Sequence, residues 1–244
     1  MTELLYLHDS YLREFEATVT AVDGTVVVLD RTAFYAGGGG QPADAGALIW
    51  SGSTAAVTDA KRIGPDVAHI VEGPPPLIGT TVRGALDWDR RYAIMRHHSA
   101  LHVLVGVVYR IFGAMVTGGA IYADRARMDF SLEDLNKERV ASIEREANRV
   151  IGEGHRILVR YVSREEYERS DLTRLAKNLL PPEIREVRVV EIEGFDAQAD
   201  GGTHVANTLE IGHLAVTKTE NKGKTNRRLE IALTAGSREQ GMKP

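Results

Sequence analysis

The sequence predicts an α+β fold: a small N-terminal β-barrel in residues 1–88, followed by an α/β two-layer domain in residues 89–244. Three observations lead there. The first ninety residues hold short β-prone runs separated by turn signals. From Asp87 onward, long stretches carry apolar residues at helical spacing, mixed with strand-like runs but without strict βαβ alternation. The chain's 244 residues, 43% hydrophobic and 26% charged, suffice for one large or two small cores and are unlike a disordered chain.

In order along the barrel, residues 15–20 alternate, Asp23-Gly24 is a hairpin turn signal and residues 25–29 are β-branched, so a hairpin is expected over 15–29. After it comes TAFYAGGGGQPADAG, with Gly37, Gly38, Gly39 and Gly40 in succession. Further strands are expected at 55–60, 67–71 and 81–86, separated by Ser-Gly-Ser, Gly-Pro-Asp and a triple proline. In the second domain, residues 91–112 contain no Pro and one Gly, and predict a helix. Residues 119–130 read as strand. A second helix is expected over 132–151, behind Ser131 with Asp134 three residues on, and its many charges suggest an exposed helix. A third helix is expected over 165–177, ahead of Pro181-Pro182. Strands then follow at 187–192, 208–211, 214–219 and 228–233.

The chain contains no Cys. That excludes disulfides, iron–sulfur clusters and cysteine nucleophiles, and a metal site would have to come from its eight His and from Asp and Glu. A net charge of −4 argues against nucleic-acid binding by overall basicity and leaves room for local basic patches. The start, MTELLYLHDSY, lacks the basic and apolar regions of a secretory signal, and the longest apolar stretch, residues 100–109, is far short of a membrane span. A soluble, cytoplasmic protein with no membrane partner is expected.

Two segments could carry chemistry. In RHHSALHVL, His98 and His102 lie one helical turn apart on one face, the spacing by which a helix offers two ligands to one metal; His97 points about 100° away. In FDAQADGGTHVANTLEIG, Asp200 and His204 flank Gly-Gly-Thr, where a turn lets a carboxylate and an imidazole converge. Taken singly, the first segment is equally well a pair of hydrogen-bonded histidines and the second a capped turn. Together they offer three imidazoles and a carboxylate, a set that suits zinc.

These residues carry a resemblance. DWDRRYAIMRHHSALHVL, GGAIYADRARMDFSLEDL and DGGTHVANTLEIG are similar to the editing domain of alanyl-tRNA synthetase, and TAFYAGGGGQPADAG is similar to the glycine-rich signature that precedes it. The free-standing order, covering nearly the whole chain, resembles the AlaX proteins, specifically the medium-length type with an N-terminal barrel. The resemblance implies an ATP-independent trans-editing hydrolase that deacylates mischarged tRNA(Ala), chiefly the seryl form, with one Zn2+ per chain. It puts the metal on His98, His102, Asp200 and His204. The family's second motif carries Cys where this chain has Asp200, so Asp200 is a direct ligand, holds a metal-bound water, or leaves a three-histidine site of weaker affinity. A metal-stabilised tRNA-binding module without catalysis, or an editing hydrolase for another aminoacyl-tRNA, would share the pattern.

An aminoacyl ester is already activated, and nothing in the sequence suggests a covalent nucleophile, so direct hydrolysis is expected. Rejecting alanine while accepting serine needs polar groups that read one hydroxyl. Ser99, Thr203 and Gln41 are the candidate catalytic and discriminating residues, with Thr117 a further polar candidate. Gly37, Gly38, Gly39 and Gly40 form the expected selectivity loop, where absent side chains permit close backbone approach. For tRNA, Lys222, Lys224, Arg227 and Arg228, with Lys218, make a basic tail opposed locally by Glu220. Arg83, Arg90, Arg91 and Arg96 form a weaker patch against Asp87 and Asp89.

Overall fold

The structure, a computed structural model, describes residues 1–175, 180 and 184–234. It divides into two compact units, Met1–Ile94 and Met95–Pro244. The first contains two short parallel strands, β1 (Glu3–Leu4) and β4 (Arg31–Thr32), and the strands β2 (Glu14–Asp23), β3 (Val26–Leu29), β5 (Gly46–Trp50), β6 (Ser53–Ile63), β7 (Asp66–Glu72) and β8 (Thr81–Leu86). These last six close into an antiparallel barrel in the order β2-β3-β7-β6-β5-β8. Alternation puts Phe15, Ala17 and Val19 of β2 inside with Val27, Leu29, Leu48, Val57, Val67 and Val82. The expected hairpin is present, turned at Gly24 with φ of 56°. The strand β5 was not anticipated from sequence.

The 25-residue helix α1 (Trp88–Phe112) begins in the first unit and continues in the second. The second unit adds β9 (Val116–Ile121), β10 (Ala126–Phe130), α2 (Lys137–Glu153), β11 (Ile157–Ser163), α3 (Arg164–Arg169), β12 (Glu186–Ile192), β13 (Asp196–Ala199), β14 (His213–Asn221) and β15 (Arg227–Thr234). Two sheets result among the described residues, ordered β14-β15-β10-β9 and β11-β12-β13. The α+β class and the N-terminal barrel are as expected.

Four local expectations are corrected. The strand over 119–130 is instead the hairpin β9–β10, closed where the Tyr122 N–H donates to the Arg125 carbonyl at 2.8 Å. The helix over 132–151 starts later, because Asn136 rather than Ser131 caps it: the Asn136 side chain accepts the Arg139 N–H, while the Ser131 hydroxyl is used by the Met115 N–H. That helix is amphipathic and not merely exposed. Ile143, Ala147, Val150 and Ile151 are buried, and Asn148 exchanges hydrogen bonds with the Leu214 backbone of β14. The helix over 165–177 is only the six residues of α3, since Ser170 turns extended and its hydroxyl takes up the Glu166 carbonyl; residues 176 and 177 lie outside the described residues. The strand over 208–211 is a 3-10 turn, because Asn207 and Glu210 form a reciprocal capping box around it.

Candidate metal centre

The site is built from two segments of the second unit. α1 presents His98 and His102, and the loop between β13 and the 3-10 turn presents Asp200 and His204. The helix is held close to β13. A side chain at Gly106 would collide with Phe195, and the Gln198 amide donates to the His102 carbonyl at 3.2 Å. The loop is held too. Arg188 of β12 donates to the Asp200 carbonyl at 2.8 Å while its own carbonyl accepts the Asp200 N–H at 3.1 Å, and Asp200 Oδ1 accepts the Gly202 N–H at 2.6 Å.

Four donor atoms, one from each residue, then lie within 4.8 Å of one another. Asp200 Oδ2 is 3.4 Å from His98 Nε2 and 3.9 Å from His102 Nε2, and Oδ1 is 3.1 Å from His204 Nε2. The three imidazoles are buried and Asp200 is half-buried beside exposed Gly201, so the carboxylate marks the side open to solvent. Burial lowers the affinity of His102 for a proton, and burial together with the neighbouring His98 and His102 lowers that of His204 much further. Burial alone would raise Asp200. The charge of His98 and hydrogen bonds from His102, His204 and His98 outweigh it and hold the carboxyl well below the usual range.

The set fits a divalent metal. At neutral pH it supplies two neutral imidazoles at His102 and His204 and an ionised carboxylate, the protonation states that ligands need. Tetrahedral zinc with N and O ligands at ~2.0–2.2 Å puts its donors about 3.4 Å apart, close to the spacing found here.

Ser99 is also at the cluster, but on its far side. Its Oγ, fully buried, lies 3.3 Å from His204 Nδ1 and accepts the Val205 N–H at 3.1 Å. Thr203 is fully buried next to His204. Thr117 is engaged elsewhere, donating to Asn226 at 2.9 Å. Gln41 belongs to the barrel unit, where it is buried at the end of the glycine loop. That loop is a closed miniature hairpin. Gly38 and Gln41 exchange both backbone hydrogen bonds at 3.0 and 2.9 Å, and Gly39 and Gly40 turn between them at φ of 58° and 88°. Both central residues at positive φ is the primed turn that strongly favours glycine. At the base of the loop, Asp44 and Tyr35 pair through their backbones, and the Asp44 carboxylate accepts the Tyr35 N–H. Fully buried Arg91 grips the same carboxylate and donates to the Ser10 and Ala33 carbonyls.

Arg91 therefore contributes no surface charge, which removes one of the four members of the weaker basic patch. Arg83 pairs with Glu14, Arg90 donates to the Ala43 carbonyl and Arg96 to the Ile211 carbonyl. In the tail, Arg228 is bound by both oxygens of Asp129, and Glu220 serves Lys218 and Lys222. Arg227 donates to backbone carbonyls around the β14–β15 turn, and Lys224 is exposed there.

Sequence reasoning missed Arg188 and Gln198. The signal for Gln198 was the alternation DAQAD, which places Asp196, Gln198 and Asp200 on one face of an extended strand, and Arg188, on a different strand, had none.

With this fold and cluster on one chain, the class of protein is one built from segments shared with tRNA synthetases. Residues 3–90 match the family described as tRNA synthetases class II (A), and residues 187–230 match the threonyl and alanyl tRNA synthetase second additional domain. The chain is 46% identical to the alanyl-tRNA editing protein AlaX-M of Methanosarcina mazei, over 96% of this chain and 97% of that protein. It is 42% identical to the AlaX-M of Saccharolobus solfataricus, over 94% and 98%. Against the alanine–tRNA ligase of Pyrococcus abyssi it is 41% identical over 90% of this chain, which corresponds to 24% of the ligase. The chain belongs to the AlaX-M family of alanyl-tRNA editing proteins. Among the described residues, no helix is long and apolar enough to cross a membrane.

Proposed function

We propose that this protein hydrolyses the ester of mischarged tRNA(Ala), chiefly seryl-tRNA(Ala), with one zinc ion held by His98, His102, Asp200 and His204. The observation that carries the reading is the convergence of these four donors from segments about a hundred residues apart, with half-buried Asp200 the most exposed of the four. The names of the relatives, alanyl-tRNA editing proteins, support the substrate class. A bound zinc would supply a Lewis acid for the ester carbonyl or bring a water toward a pKa of ~7.

The chain's own residues set the rest. His98 and His102, one turn apart on a helix backed by β13, present their ring nitrogens to one point, and Arg188 holds Asp200 at the rim. Asp200 stays ionised and can accept a hydrogen bond from an attacking water or from the substrate amino group. Ser99 is unsuited to act as a nucleophile or to read the substrate hydroxyl, because it is fully buried and its oxygen is used by Val205 and His204. Thr203 and Gln41 are likewise enclosed, which leaves the loop backbone around Gly201 and the glycines Gly37 to Gly40 of the barrel loop as candidates for discrimination. Phosphate contacts are assigned to Lys222, Lys224 and Arg227 at the β14–β15 turn, with Arg228 buttressed by Asp129. The cytoplasm, where tRNA is charged, is the expected compartment.

The test is a comparison of seryl- and alanyl-tRNA(Ala) deacylation by the zinc-loaded protein. The reading expects rapid loss of serine and sparing of alanine; equal rates, or none, defeat it.

A further inference from the structure

Ser99 stands directly after His98 in α1, so the helix supplies both a candidate ligand and the group behind another, on a different segment. The hydrogen-bond accounting at its hydroxyl is restrictive. A serine hydroxyl has one hydrogen and two acceptor lone pairs. The Val205 N–H can only donate and occupies one lone pair at 3.1 Å. His204 Nδ1, 3.3 Å away, must therefore be served by the remaining lone pair or by the hydrogen.

The other face of the same ring decides which. His204 Nε2 lies 3.1 Å from Asp200 Oδ1, and an ionised carboxylate can only accept. Without a metal, Nε2 carries the hydrogen and donates to Asp200, Nδ1 is bare, and Ser99 donates to it. With a metal on Nε2, that nitrogen must offer its lone pair, so the ring hydrogen sits on Nδ1 and Ser99 accepts it. The ring stays neutral in both states: one N–H bond is broken at Nε2, one forms at Nδ1, and solvent carries the proton between them. Alanine here could serve neither state, whereas a hydroxyl serves both by rotating one bond.

We infer that Ser99 is a positioning residue that accommodates a tautomer switch of His204, donating to Nδ1 in the metal-free site and accepting from it in the loaded one. This inference rests on the metal reading above and goes beyond it, because it assigns the hydroxyl to the ligand rather than to the substrate.

The experiment is side-chain 15N NMR of histidine-labelled full-length protein, with and without added zinc, together with zinc affinity measured by chelator competition. Metal-free His204 should carry its hydrogen on Nε2 and the zinc-loaded form on Nδ1. Ser99→Ala should bind zinc ~10–100-fold more weakly, the usual cost of losing a partner behind a ligand, and Ser99→Thr, which keeps the hydroxyl, should recover most of it. Zinc binding that leaves the His204 tautomer unchanged, or a Ser99→Ala protein with undiminished affinity, overturns the switch alone. Failure of zinc to shift any of the three histidines overturns the metal reading and the switch with it. If Ser99→Ala does not fold, the tautomer readout on the unsubstituted protein decides by the same criterion.

Discussion

The barrel and the second unit each bury histidine, to opposite ends. In the barrel, His69 is fully buried on β7, with Nε2 2.8 Å from the Thr32 hydroxyl and Nδ1 3.1 Å from the Val27 carbonyl, edge-on to Phe34. Both nitrogens face groups that match a neutral ring: Nδ1–H donates to the carbonyl and Nε2 accepts from the hydroxyl. In the second unit, His98, His102 and His204 pack ring against ring, with centroids 4.2 to 5.1 Å apart, and aim nitrogens at one carboxylate. Burial is common to both. What separates a structural histidine from a candidate ligand is whether lone pairs are consumed locally or left to converge.

Substitution should break the contrast most sharply. His102→Ala is expected to lower deacylation and zinc affinity by more than about 100-fold, beyond the cost of losing an outer partner. His69→Ala should leave activity per folded molecule near normal while depressing the melting temperature, because it leaves a cavity and two stranded polar groups. Steady-state deacylation beside thermal unfolding of the two variants checks this, and equal activity losses would erase the distinction.

Acid comes next. Burial lowers His69 from 6.5 to about 4, with the bond to Val27 opposing. The unfolded chain then takes up this proton first, so the His69 contribution is unimpaired above pH 6.5, falls as pH drops from 6.5 to 4, and costs ~3 kcal/mol below that. NMR titration should find the His69 ring neutral at pH 5, and a ring already charged there contradicts its fully enclosed environment.

The smallest effect should follow exchange of Asp200, the one oxygen donor of the candidate set. Asp200→Cys should raise resistance to chelators on the order of tenfold, since thiolate binds zinc more tightly than carboxylate. A chelator titration of both proteins, showing equal or weaker retention by the variant, would mean that Asp200 stands outside the coordination sphere.

The same contrast explains what could be read from the sequence. Strands with alternation and a turn signal, such as β2 and β3, were legible because burial on one face writes a period of two. The pair His98 and His102 was legible because a helix makes spacing into geometry, and Asp200 and His204 because glycines between polar residues signal a turn. Cap choice was not: Ser131 and Asn136 are both good caps, and the hydroxyl of Ser131 was claimed by Met115, 16 residues from it in sequence. The same holds for Ser99, a polar residue beside a candidate ligand that suggested contact with substrate. Its orientation toward His204 depends on packing between segments about a hundred residues apart.

The pairing of Arg91 with Asp44 has a consequence for anyone who would take the molecule apart. A cut after residue 88, where the composition changes, looks like a clean seam, yet the barrel's buried carboxylate finds its cation three residues downstream of it. A fragment ending there would strand Asp44, and losing one partner of a buried ion pair typically costs ~3–5 kcal/mol. The smallest portable version of the barrel therefore includes the opening turn of the helix that goes on to hold His98.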